Sequence, residues 1–204
     1  MKHLNLYIKE GLKLGSSKID IYSVHPKDYY DLRDIIEERL KKDPDADLND
    51  IDVSSITNME CLFDGLNPYD IKINQWDVSN VENMWSMFCN CTNFNADISK
   101  WDVSKVYDMC SMFDGCTKFN CDLSKWNVSE VKDMESMFAW CDNFDADLSG
   151  WDVSKVENMD RMFRNCSKFN CDLSKWDVSS VRDMKLMFNN CPIENHLPKW
   201  FNIN

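Results

Sequence analysis

Residues 101–125 have the sequence WDVSKVYDMCSMFDGCTKFNCDLSK, and this pattern recurs every 25 residues along most of the chain. The register runs without insertion from residue 51 onward. Such self-similarity is typical of repeat architectures, in which each unit buries its apolar face against the next unit. The clearest columns of identical residues are Trp76, Trp101, Trp126, Trp151 and Trp176; Met84, Met109, Met134, Met159 and Met184; Phe88, Phe113, Phe138, Phe163 and Phe188; and Cys91, Cys116, Cys141, Cys166 and Cys191.

The first half of the unit predicts a short helix. Its apolar residues are spaced three and four apart, as they are on one face of a helix. Ser104 takes the position of an N-cap, and the pairs Ser79–Glu82 and Ser154–Glu157 have the spacing of capping boxes. The apolar positions concerned are Val106, Met109, Met112, Phe113 and Cys116.

The second half of the unit predicts a short strand. Phe119, Cys121 and Leu123 alternate with polar residues, which is the two-residue period of an extended chain. Stacking such units in register would place a parallel sheet on one side and helices on the other. We therefore expect an α/β solenoid of about six 25-residue coils.

These signatures resemble a known family. The pattern VxxMxxMFxxCxxFNxDLSxWDVS is similar to the BspA-like leucine-rich-repeat proteins, and in particular to the WDVS and MF variant of bacterial surface lipoproteins, mycoplasma proteins and phage proteins. The resemblance covers residues 45 to about 193. It implies a right-handed leucine-rich-repeat-like solenoid and a binding role rather than catalysis.

The ends of the chain depart from the repeat. We expect residues 1–44 to form a helical N-terminal cap, residues 45–193 the repeat solenoid and residues 194–204 a C-terminal cap. A solenoid exposes the apolar edge of its first and last coils, so each end needs a cover.

The N-terminal cap contains three candidate elements. A short helix is predicted over Leu4–Leu14 and a weak strand over residues 19–24. A better amphipathic helix begins at Pro26 and ends before Pro44. In the C-terminal cap, the apolar residues Trp200, Phe201 and Ile203 are expected to fold over the last coil.

The composition limits the classes of binding partner and the cellular location that we expect for this protein. A net charge of -12 argues against nucleic acid and anionic membranes as direct partners. The longest apolar runs are too short to cross a bilayer. The first residues contain charges and lack the apolar segment of a secretion signal, and ten cysteines favour free thiols. We therefore expect a cytoplasmic protein.

Metal chemistry and catalysis find little support in the pattern. The main cysteine column has a spacing of 25 residues rather than the close pairs of zinc sites, so we expect buried thiols and no metal or other cofactor. The three histidines, His3, His25 and His196, lie outside the columns, and no nucleophile motif accompanies them. The chain is not expected to be an enzyme.

The aspartates of the repeat form columns of their own. Their positions beside serine predict corners in which the carboxylate accepts backbone N–H groups. Calcium binding along such a column is the alternative, since carboxylates are calcium ligands. The columns are Asp52, Asp77, Asp102, Asp152 and Asp177; and Asp97, Asp122, Asp147 and Asp172.

Function is expected where the units differ. Trp85, Tyr107 and Cys110 replace more polar residues on neighbouring units, and Trp140 stands where other units have Gly or Asn. Exposed aromatic side chains have the composition of a binding hot spot, although packing against the cap or a neighbouring unit is equally compatible with the sequence.

These four residues are the candidate binding site of a non-catalytic protein–protein interaction module with a protein partner. One alternative is an inhibitor or modulator of phage or pathogen type, whose acidic face occupies a basic and possibly nucleic-acid-binding target. The other is a self-associating structural component of a virion or surface.

Overall fold

The computed structural model describes residues 21–201. One α-helix occurs in this range, α1 at Tyr29–Lys42. It begins because the Asp28 carboxylate accepts the backbone N–H of Asp31 at 3.0 Å, which satisfies a donor of the first turn. Leu32, Ile36 and Leu40 lie buried on the face that covers the repeat. The amphipathic helix expected between Pro26 and Pro44 is thereby confirmed.

The 25-residue units stack on one another in register. On alternate residues of one coil, the backbone N–H donates to a carbonyl of the next coil, as from Met84 to Asp108 at 3.0 Å and from Phe88 to Met112 at 2.9 Å. Isolated parallel bridges mark the same register. They join consecutive members of the series Asn58, Asn83, Asp108, Asp133, Asn158 and Asp183.

The predicted α/β solenoid with a parallel sheet and short helices is wrong. Between residues 21 and 201 the repeat contains no α-helix, and its extended contacts are isolated bridges that never join into a sheet. The chain instead runs through successive turns. The repeat period and the identity of the inward-facing residues were therefore predictable, whereas the secondary structure was not.

Left-handed residues explain the absence of the predicted helix. In the unit that contains Val106, Ser111 and Gly115 have φ values of 54° and 74°, which a right-handed helix excludes. Turn hydrogen bonds replace those of a helix, as from the Met112 N–H to the Met109 carbonyl at 3.2 Å. Consecutive turns bring the residues at steps of three and four to the inside, so they produce the same apolar spacing as a helix.

The predicted N-caps have a different role. Ser104 begins no helix; the Asp102 carboxylate accepts its backbone N–H at 3.1 Å and closes a turn. The Ser79–Glu82 and Ser154–Glu157 pairs are likewise not capping boxes, because both serines lie in turns of this kind. The aspartate corners are confirmed. Hydrogen bonds from the adjacent serine lower the pKa of carboxylates such as Asp97.

The second half of the unit is extended without forming a strand. Phe119 and Leu123 are buried and Cys121 is half-buried, so the predicted inward-facing positions are correct. Side chains, however, join neighbouring coils here. The Asn95 side chain accepts the backbone N–H of Asn120 at 2.8 Å, and that of Asn120 accepts the N–H of Asp145 at 2.9 Å.

The core consists of stacked columns of identical side chains. Rings of adjacent coils lie nearly parallel, with Phe88 and Phe113 centroids 5.8 Å apart and those of Trp76 and Trp101 6.3 Å apart. The ten cysteines are free thiols, and those of the main column are buried, as predicted. The Cys116 thiol donates to the carbonyl of Phe88 at 3.0 Å, and burial raises its pKa well above the ordinary value.

The N-terminal end of the stack is covered by α1 and by residues 21–27. The weak strand predicted over residues 19–24 is reduced, in its described part, to one parallel bridge between Val24 and Ile51. Arg33 of α1 donates to the backbone carbonyls of Cys61, Leu62 and Asp64. The helix predicted over Leu4–Leu14 lies outside the described residues.

At the C-terminal end, a 3₁₀ helix at Pro192–His196 leads to the last aromatic residues. Trp200 stacks on Trp176 with centroids 6.4 Å apart, and Phe201 contacts Phe188 edge-on at 5.0 Å. The expected folding of Trp200 and Phe201 over the last coil is confirmed. Ile203 lies outside the described residues.

Candidate functional site

Trp85 and Tyr107 lie exposed on consecutive coils. Their side chains are 40% and 45% exposed, whereas the tryptophans of the repeat column are buried. Trp85 follows Asn83 by two residues and Tyr107 precedes Asp108 by one, and Asn83 and Asp108 are bridge partners. The stack therefore places both aromatic residues within two positions of the same bridge between consecutive coils.

The turn chemistry of the repeat fixes both residues in place. The Asn83 side chain accepts the backbone N–H of Trp85 at 2.8 Å, and the Tyr107 N–H donates to the Glu82 carbonyl at 2.9 Å. Both backbones belong to the same hydrogen-bonded stack as the core columns. These side chains are therefore presented from a fixed backbone rather than from a free loop.

Carboxylates surround this pair. Glu60 and Glu82 occupy, on the preceding coil, the positions of Trp85 and Tyr107, and Asp108 adjoins Tyr107. Within residues 21–201 none of these three carboxylates forms an ion pair. Burial, reinforced by the neighbouring charges of Asp133 and Glu60, raises the pKa of Asp108. We call Trp85, Tyr107, Glu60, Glu82 and Asp108 the acidic aromatic surface.

Cys110, the third predicted site residue, lies in the same column as Trp85 but is half-buried. The Ser86 backbone N–H donates to the Cys110 carbonyl at 2.8 Å. Burial raises the pKa of its thiol to about 11, so the thiol is protonated at neutral pH. Its position beside the aromatic pair agrees with the prediction, although its thiol offers little reactivity.

Cys110 also belongs to a group that the sequence analysis missed. One ligand atom each of Cys110, Asp133 and Glu135 lie within 4.8 Å of one another. The carboxylates already have partners, because the Asn158 amide donates to Asp133 at 3.3 Å and to Glu135 at 3.1 Å. Glu135 lies in the column of Cys110 one coil later, and Asp133 precedes Glu135 by two residues. The group could therefore have been found only by comparing neighbouring positions across the 25-residue period.

Trp140, the fourth predicted residue, lies apart from the pair, two coils beyond Trp85. It is 51% exposed and has a φ of 60°. Its column holds the second left-handed position of each unit, which is occupied elsewhere by residues that adopt this conformation readily. These are Gly65, Asn90, Gly115, Asn165 and Asn190.

A bulky residue at a left-handed position costs free energy, and such outliers concentrate at functional sites. The exposed ring of Trp140 regains little of that cost by burial. The sequence indicated the exception, since Trp replaces Gly or Asn, but the backbone conformation that makes it costly was visible only in the structure.

Comparison with known sequences places the chain in a family. The family described as "Mycoplasma protein of unknown function, DUF285" matches residues 31–141 and, a second time, residues 90–200. The chain belongs to this family. The mycoplasma connection and the repeat nature expected from the WDVS and MF signatures agree with this DUF285 assignment.

No curated protein and no solved structure matches the DUF285 chain. Among the residues that the structure describes, no helix has both the length and the apolar character needed to cross a membrane.

Proposed function

We propose that this protein is a non-catalytic protein-binding module and that its acidic aromatic surface contacts a partner rich in Lys or Arg. The exposed pair Trp85 and Tyr107, set among unpaired carboxylates, is the observation that carries the proposal. Large aromatic side chains dominate binding energy at protein interfaces when a partner removes them from water.

Charge supports a basic partner. Glu60, Glu82 and Asp108 form no ion pair among residues 21–201, and the negative charges of Asp133 and Glu60 act on Asp108. A Lys or Arg side chain would relieve this repulsion and could also lie over the ring of Trp85 or Tyr107. The chain offers an internal example, with the Lys118 ammonium 4.9 Å from the ring centroid of Tyr69.

The expected type of partner, cellular location and family relationship form part of this proposal. The partner is a protein, and direct contact with nucleic acid or membranes is not part of the role, given the net charge of -12. The free thiols favour a cytoplasmic location. The WDVS and MF signatures support kinship with the BspA-like proteins within the mycoplasma repeat families.

An inhibitor that occupies the basic site of its target is the main variant of this role. It uses the same surface and the same charges, and it differs only in the consequence for the partner. Loss of the partner's activity on binding would distinguish it from an adaptor.

The test compares four proteins: wild type, Trp85→Ala, the double variant Trp85→Ala/Tyr107→Ala, and the control Tyr30→Ala. Tyr30 is 76% exposed on α1 and is not one of the residues of the acidic aromatic surface. Each is immobilised and presented with a peptide library in which Lys, Arg or neutral residues occupy matched positions.

We expect wild type and Tyr30→Ala to retain basic peptides, and the double variant to bind them at least about tenfold more weakly, as for loss of hot-spot residues. Retention should fall with salt, since the carboxylates are exposed to screening. Equal retention by all four proteins, or no preference for basic peptides, would overturn the proposal. Unchanged melting temperatures show that the variants remain folded.

A further inference from the structure

The two ends of the stack differ in how their backbone groups are satisfied. At the N-terminal end, the Arg33 guanidinium donates to carbonyls of the first complete coil, including Leu62 at 3.2 Å and Asp64 at 2.9 Å. It replaces the N–H groups that a preceding coil would supply. Arg33 and the buried face of α1 together cover this part of the edge.

Among residues 21–201, nothing covers the C-terminal edge in the same way. In the fifth coil, the N–H groups of Met159, Arg161 and Phe163 donate to carbonyls of the sixth coil at 2.7–2.9 Å. The equivalent N–H groups of the sixth coil belong to Met184, Leu186 and Phe188. Within residues 21–201 these three have no acceptor, and Asn190 has only the Glu194 carboxylate, at 3.2 Å.

The side chains at this edge are also incompletely covered. Val156 and Met159 are fully buried under the sixth coil, whereas Val181 and Met184, in the same columns, are only partly buried. Leu186 is 47% exposed. We call Val181, Met184, Leu186 and the Phe188 N–H the open edge.

The C-terminal cap covers a different part of the last coil. Trp200 and Phe201 lie over Trp176 and Phe188, on the side of the aromatic columns. Neither residue supplies an acceptor to the three free N–H groups. The aromatic half of the last coil is closed and the Val–Met half is not.

Hydrogen-bond polarity restricts what fits this edge. N–H donors on alternate residues require a chain that presents carbonyl oxygens at the same spacing. In every earlier coil the next coil provides these oxygens, together with apolar side chains from the Val and Met columns. A second copy does not meet this need, since its own open edge also presents donors and its opposite edge lies under α1 and Arg33.

We propose that the open edge binds an extended segment of another polypeptide, which continues the stack as a seventh coil would. The segment supplies carbonyl oxygens to Met184, Leu186 and Phe188 and an apolar side chain to Val181 and Leu186. This is the repeat-protein counterpart of strand addition at a sheet edge. It is independent of the acidic aromatic surface.

The probe is a blocked synthetic peptide with the sequence of residues 153–165, VSKVENMDRMFRN. In the protein, carbonyls of this segment accept the N–H groups of the fourth coil, including Met134 to Asn158 at 2.9 Å and Ser136 to Asp160 at 2.8 Å. It is added at up to about 1 mM to ¹⁵N-labelled full-length protein, a range that detects weak binding. A scrambled peptide is the control.

Binding should shift the amide signals of Met184, Leu186 and Phe188 and slow their hydrogen exchange by about tenfold. Leu186→Ser should weaken the peptide by about fivefold or more without unfolding, since Ser86, Ser111 and Ser136 hold this position with φ of 52–54°. Trp85→Ala should bind the peptide as wild type does.

Three outcomes would overturn the proposal. One is the absence of any shift, and another is a set of shifts at Trp85 and Tyr107 instead. The third is a free protein that sediments as a dimer with Met184, Leu186 and Phe188 already protected, which would assign the edge to a second copy.

Discussion

The indole Nε1 of Trp151 donates a hydrogen bond of 3.0 Å to the backbone carbonyl oxygen of Leu123, 28 residues earlier. The same bond recurs in each coil from Trp76 to Trp200. It joins consecutive coils through a buried side chain. The tryptophan repeated in each unit therefore links neighbouring coils as well as filling the interior.

Replacing Trp151 by Phe should destabilise the protein by about 0.5–1.5 kcal/mol, because the Leu123 carbonyl loses one of its two donors and keeps only the Trp126 N–H. Urea denaturation followed by circular dichroism measures this loss. Trp85→Phe is the matched control and should change stability by less than about 0.5 kcal/mol, since its ring is on the surface. Equal effects of the two substitutions would contradict a structural role for the indole N–H.

Replacing Arg33 by Met should open the N-terminal edge, because the carbonyls of Leu62 and Asp64 lose the Arg33 donor and that of Cys61 keeps only the Asp64 N–H, while the aliphatic stem is kept. We expect a loss of about 1–3 kcal/mol in the free energy of unfolding. Hydrogen exchange should quicken first in the coil that contains Cys61. Lys42→Met removes only an exposed ion pair with Glu38, and a loss as large from this control would argue against edge closure.

Replacing Asp114 by Asn should stabilise the protein at pH 7 and have little effect near pH 4. Burial raises the pKa of Asp114 to about 6, and the charge of Arg164 offsets this only in part. A carboxyl whose pKa is raised on folding contributes stability below its unfolded pKa and loses it as pH rises toward 6. We expect a gain of about 1–2 kcal/mol at pH 7 from urea denaturation.

Asp122→Asn provides the opposite case. Hydrogen bonds from Ser124 lower the pKa of Asp122, so its carboxylate contributes stability above its unfolded pKa and loses it as pH falls. This control should gain nothing at pH 7. If Asp114→Asn left the free energy of unfolding unchanged at both pH 4 and pH 7, burial would not destabilise the charged form of Asp114.

Replacing Trp140 by Asn should raise the melting temperature. Asn165 and Asn190 hold the same left-handed position, and relief of the Trp conformation is worth about 1 kcal/mol. A fall in melting temperature would show that packing of the Trp140 ring outweighs its backbone cost. Stabilisation combined with weaker partner binding would identify Trp140 as a residue kept for recognition.

The candidate surface was only partly predictable. The exposure of Trp85, Tyr107 and Trp140 could be predicted, because these residues stand at positions that other units fill with different residues, outside the columns of identical buried side chains. The proximity of Cys110, Asp133 and Glu135 did not follow, since it depends on the offset between coils. The left-handed backbone of Trp140 depends on how its unit pairs with the next one.

By itself the sequence determined the period, the buried columns and the aspartate corners. These depend on which side chains are buried and on hydrogen bonds between residues two positions apart in the sequence, such as that from the Ser104 N–H to the Asp102 carboxylate. It did not determine the secondary structure, because a spacing of three and four is shared by a helix and by consecutive turns. The stack decided between them. The Met84 N–H donates to the Asp108 carbonyl of the next coil, and a backbone donor that is satisfied by a neighbouring coil is not available for the hydrogen bond of a helix.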